Sequence, residues 1–207
     1  MKGAGEEATR AGSLLILEAK RDEVSQKGLR FLGDVFAYLR RGHLPADDIA
    51  ARVRSGILKV AQRKNPDGTR EPLVVVTHSF GSIILYDVLT SGDVDGLKID
   101  LWVTVAAQTS LFAEMGLYGS SSKDDPSKER PTLGKPKQVT RWLNFYDAAD
   151  ILSYLHQPIF GDAAVTDIQV RDRANLTNSH GHYFLTTEFY ERIGRELKDL
   201  LDRDALV

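Results

Sequence analysis

Apolar residues along this chain change their spacing near residue 73, and that change outlines an α/β fold. Residues 29–39 carry apolar positions at helical spacing. A second helix opens at Pro45-Ala46-Asp47-Asp48, with proline and acidic residues in its first turn. It continues through Val53, Ile57, Leu58 and Val60 to a turn at Asn65-Pro66-Asp67-Gly68. Leu14-Leu15-Ile16-Leu17 reads as a short strand or the start of another helix, so residues 1–70 are mainly helical. From Leu73 the pattern becomes a continuous valine run, as expected of a strand buried on both faces. Further apolar runs predict parallel strands at 73–78, 100–106, 139–146 and 164–170, with helices between them. A last helix is predicted over 187–201, with Phe189, Ile193, Leu197 and Leu200 on one face and charges opposite.

Composition narrows the class. A chain of 207 residues, 42% hydrophobic and 27% charged, suits one soluble domain with a substantial core. A net charge of −2 with scattered basic residues gives no electrostatic case for nucleic acid or an anionic membrane. No apolar run approaches transmembrane length, and residues 1–7 lack a signal-peptide core. The absence of cysteine excludes a disulfide framework and fits a cytoplasmic protein. There is no internal repeat, and no cofactor is implied. Residues 119–137 are polar and proline-rich and are expected to form a mobile surface loop.

The chemistry concentrates in Leu73-Val74-Val75-Val76-Thr77-His78-Ser79-Phe80-Gly81, followed at once by the helical pattern Ser82-Ile83-Ile84-Leu85-Tyr86-Asp87-Val88-Leu89. Strand, serine-bearing turn and helix in immediate succession is the context of a nucleophile elbow. The turn lifts the serine oxygen above the sheet edge and aims the next helix's N–H groups at it. Thr77 stands where G-x-S-x-G has glycine. Gly81 is read as the more important position, because a side chain there should push the helix off the strand. An ordinary Ser/Gly loop after a buried strand is the plain alternative.

This elbow resembles the α/β-hydrolase family, in particular its lipase and esterase branches with His-Ser-x-Gly elbows. The resemblance covers about two-thirds of that fold, from the elbow onward. It implies an acid and a histidine in the order Ser…Asp/Glu…His. The acid falls in Phe145-Tyr146-Asp147-Ala148-Ala149-Asp150-Ile151-Leu152, where Asp150 with its aliphatic pair matches the family better than Asp147, which is given the turn role. The base falls in His180-Gly181-His182-Tyr183-Phe184, where His-x-x-Tyr-aromatic favours His180 over His182. His-x-His also allows a metal reading, with no third ligand nearby.

A serine becomes nucleophilic when an imidazole takes its proton, and the carboxylate holds that imidazole in the right tautomer. The backbone N–H of Phe80 would bind the oxyanion. The resemblance thus implies hydrolysis of a carboxylic ester or lipid-like acyl bond through Ser79, Asp150 and His180. Leu111, Phe112, Met115 and Leu117 are candidates for an acyl pocket or, equally, for core. The strands that should precede the elbow, including the one bearing the second oxyanion donor, are not apparent in residues 1–70. Three readings follow: a reduced or partial hydrolase, a non-catalytic interaction module of the same fold, or a domain completed by a partner chain or by self-association along an open edge of the elbow strand.

Overall fold

The computed structural model describes residues 25–26, 28–39, 49–91, 93–118, 134–170 and 179–204. Residues 14–17 and 45–48, and the 119–133 part of the expected loop, lie outside them. The described chain divides into two units after Arg41. In the first, α1 spans 28–39. Val35 and Tyr38, three residues apart on one face, are buried.

The second unit is a four-stranded sheet in the order β1-β2-β3-β4, parallel throughout. Helix α2 (Ile49–Ala61) precedes β1 (Val74–His78); α3 (Phe80–Thr90), β2 (Ile99–Val105), α4 (Thr109–Glu114), β3 (Val139–Tyr146), α5 (Gln157–Phe160) and β4 (Thr166–Gln169) follow. A short helix α6 (Ser179–His182), a 3-10 turn (Tyr183–Leu185) and α7 (Thr187–Asp204) close the chain. Strand order equals chain order, so every connection within the sheet is a β-α-β crossover. No helix among the described residues is long and apolar enough to cross a membrane.

Side chains of a strand alternate between faces, and the register assigns each face its layer. Leu101, Val103 and Val105 of β2 share a face with Leu143 and Phe145 of β3. This face packs on Tyr183, Phe189, Ile193 and Leu197, which makes α7 one cover. The opposite face carries Trp102 and Trp142, paired in register and stacked at 4.5 Å. Tyr86 of α3 and Phe160 of α5 pack against Trp142 there. With both faces covered, β2 is buried along its whole length.

The strand limits have local causes. Before β1, the Asp100 carboxylate accepts from the Leu73 N–H at 2.8 Å and from Arg70 at 2.7 Å. Its contacts with Arg70, the Leu73 amide and Lys98 hold its carboxyl below the usual range against the opposing effect of burial. The strand expected over 164–170 is shortened to Thr166–Gln169 because the amides of Ala164 and Val165 turn back to the Gly161 carbonyl.

Candidate active site

Ser79 alone separates β1 from α3. Its backbone takes φ 51° and ψ −127°, a strained region for a residue with a Cβ, worth ~1–3 kcal/mol. The surroundings hold it there. The Ser79 N–H still completes the ladder to Val105 O at 2.9 Å, and the Ser82 N–H returns to Ser79 O at 2.9 Å. Serine is a favoured N-cap, yet this hydroxyl caps no helix amide. It lies instead 2.8 Å from His180 Nε2.

The two elbow residues singled out in the sequence behave differently from each other. Thr77 is a working substitute for glycine. Its hydroxyl accepts from Trp102 Nε1 and Ser82 Oγ, each at 2.9 Å, and faces Val103 O at 3.5 Å. That set occupies the donor and both lone pairs of a hydroxyl. Gly81 corrects the sequence reading. A Cβ built there meets no heavy atom within 4 Å among the described residues. Only β2 flanks the elbow strand among those residues, and none of them supplies the crowding that would demand glycine.

Asp150 and His180 arrive from two separate connections. After β3, Asp147 and Asp150 both fold the chain back on itself. Asp147 Oδ1 accepts from the Ala149 N–H at 2.9 Å, and Asp150 Oδ1 accepts from the Leu152 N–H at 3.0 Å. Only Asp150 also meets the histidine, with His180 Nδ1 2.9 Å from Oδ2 and 3.1 Å from Oδ1. Asp150 is buried, whereas the His180 side chain stays 30% exposed, open to an incoming ligand. A carboxylate only accepts, so His180 carries its proton on Nδ1 and offers the Nε2 lone pair to the serine hydroxyl. His182 makes neither contact. A metal bound through His-x-His would have to displace one of the two contacts that engage the His180 ring nitrogens.

Two further groups belong to this arrangement. The Tyr183 hydroxyl donates to Asp150 Oδ2 at 3.0 Å and accepts from the Asp147 N–H at 2.9 Å. Burial first, then the charge of Asp150, hold the Tyr183 phenol protonated far above its ordinary range. His78 reaches the main-chain oxygen of His180 at 2.8 Å. Both residues stand inside the motifs quoted from the sequence. The signal was their position, one residue before the nucleophile and three after the base, and spacing alone assigned them no partner.

Phe80 opens α3, so its amide lies in the first turn of that helix, beside Ser79. Among the described residues β1 pairs only with β2, and no strand on its other side brings a second oxyanion donor. Of the apolar pocket candidates, Phe112 is fully buried and belongs to the core, whereas Met115 is exposed. Leu111 and Leu117 are half-buried. Ile151, Leu155 and Leu185, from the connections that carry the acid and the base, are exposed.

No family model matches this sequence, and no curated protein or solved structure matches it either.

Proposed function

We propose that this chain is a serine hydrolase of the α/β-hydrolase kind, cleaving a carboxylic ester or related acyl bond through an acyl-enzyme on Ser79. The supporting observation is the continuous chain of contacts from Ser79 Oγ through His180, at 2.8 Å, to Asp150, at 2.9 Å. In the reaction, Ser79 Oγ attacks the acyl carbon while its proton passes to His180 Nε2. The carbonyl π pair becomes an oxyanion facing the Phe80 N–H. Collapse breaks the bond to the leaving oxygen, which takes the proton from Nε2 and departs as an alcohol. Water then repeats the sequence, giving its proton to Nε2 and releasing the carboxylic acid, and Ser79 recovers its hydrogen. Asp150 stays ionised and stabilises the imidazolium throughout.

The exposed apolar side chains Met115, Ile151, Leu155 and Leu185 lie on connections that leave the carboxyl ends of β2 and β3 or follow the base. Ligands of open parallel sheets bind at those ends, which favours a lipid-like acyl group. The cysteine-free composition favours a cytoplasmic location. A second reading, a hydrolase-fold module completed by a partner chain, draws on the open side of β1 among the described residues. Fluorophosphonate labelling separates the two, since only an activated serine reacts.

A further inference from the structure

His78 ends β1, immediately before Ser79. Its Nε2 lies 2.8 Å from the main-chain oxygen of His180. A carbonyl only accepts, so His78 Nε2 bears a proton and donates it. The two imidazole rings stand 5.0 Å apart between centroids, and Phe184 meets His78 edge-on at 5.6 Å.

The base is therefore held at three points. Its ring nitrogens face Ser79 and Asp150, and its main chain is tied to His78. The first contact changes whenever the serine proton moves. The tie to His78 lies on the main chain and takes part in no proton transfer. Its donor also sits beside the nucleophile, because His78 is the last residue of β1 and Ser79 is the turn residue that follows it. The base itself sits in α6, which has four residues and cannot hold its own geometry. Moving the His180 main chain away from Ser79 must stretch this hydrogen bond, turn the His78 side chain or bend β1.

We propose that His78 is a positioning residue: by holding the His180 carbonyl to the end of β1, next to Ser79, it sets the distance between base and nucleophile. Its kinetic consequence rests on the serine-hydrolase reading; the tie itself does not. The alternative is a donor that merely satisfies a carbonyl of the short helix α6, which would affect stability alone.

Two variants separate these roles. His78→Phe keeps a ring against Phe184 and removes the donor. His78→Gln places an amide N–H near the former Nε2. Misplacing a catalytic group by a fraction of an ångström to an ångström costs ~10- to ~100-fold. His78→Phe is expected to lower kcat on a short-chain p-nitrophenyl ester by that factor, with KM within ~2-fold, and His78→Gln to recover kcat to within ~3-fold. Imidazole nitrogen NMR of the same proteins supplies a second readout. The wild-type chain should show His78 protonated at Nε2, and the His180 ring resonances should move in His78→Phe but not in His78→Gln. Wild-type kcat in His78→Phe with unmoved His180 resonances would overturn the proposal. So would equal impairment of both variants in proportion to a shared loss of thermal stability. A wild-type chain that neither turns over nor labels refutes the hydrolase reading instead, and the NMR comparison then decides the tie alone.

Discussion

Replacing Asp150 by asparagine exchanges one oxygen for nitrogen and shifts the His180 proton from Nδ1 towards Nε2, the nitrogen that faces Ser79. The Leu152 N–H donates to Oδ1 at 3.0 Å, so the amide oxygen must stay at that position. The amide nitrogen then takes the Oδ2 place, 2.9 Å from His180 Nδ1 and 3.0 Å from the Tyr183 hydroxyl. An NH2 group only donates, so the shorter contact now favours His180 accepting at Nδ1 and carrying its proton on Nε2, over the longer 3.1 Å approach of Nδ1 to the retained amide oxygen. Nε2 then faces the serine hydroxyl without a lone pair. The carboxylate that stabilises the imidazolium is lost as well. Together these cost about 10³- to 10⁴-fold in kcat, or ~4–5.5 kcal/mol of transition-state stabilisation. Backbone geometry is preserved, so KM should change little. Initial rates on a short-chain p-nitrophenyl ester, with thermal unfolding as the control for folding, measure the effect. A folded Asp150→Asn chain within tenfold of wild-type kcat would show that Asp150 does not orient the base, and Asp147 would become the candidate acid.

Two more predictions concern the buried polar groups. Tyr183→Phe leaves the Asp147 N–H without its acceptor and removes a donor to Asp150. It is expected to cost ~1–3 kcal/mol in urea unfolding and to lower kcat about tenfold; unchanged values for both would sever Tyr183 from the site. His156 is fully buried between Trp142 and Phe160, and burial pushes its imidazole down to about 4 against the opposing pull of Asp167. An unfolded histidine protonates near ~6.5, so below that pH the unfolded chain takes a proton that the folded chain refuses. Stability therefore falls as pH drops from ~6.5 towards ~4, by about 2 kcal/mol between pH ~7 and ~5. Urea titrations at both pH values should show this component in wild type and not in His156→Gln; equal losses in the two proteins would contradict it.

Much of this arrangement was legible in the sequence because its parts obey strong local rules. The valine run before Ser79 predicts a strand, and the apolar helix after Gly81 leaves one residue to turn the chain. The strand is there, but at the edge of the described sheet it is half-buried with Val76 exposed, not buried on both faces as the run suggested. Asp150 and His180 stood out through the chain order and neighbouring residues that the resemblance implies, and the structure brings His180 to Ser79 and Asp150 to His180. Long-range partnerships were not legible. Nothing local to Thr77 announces that its hydroxyl serves Trp102 and Ser82, residues 25 and 5 positions away. The tie between His78 and His180 spans 102 positions and needs the finished fold to exist. Gly81 shows the opposite error. A motif position was given a steric reason that holds when strands crowd the elbow from both sides, and only β2 flanks it among the described residues.

The central claim is that Ser79 is an activated nucleophile, and covalent capture tests it most directly. The purified chain would be incubated with a fluorophosphonate, digested, and the modified peptide mapped by mass spectrometry. The account predicts one phosphonylated residue, Ser79, with labelling lost in a folded Ser79→Ala variant and slowed in His180→Ala. A wild-type chain that stays unlabelled, or a label that persists in Ser79→Ala, would contradict it.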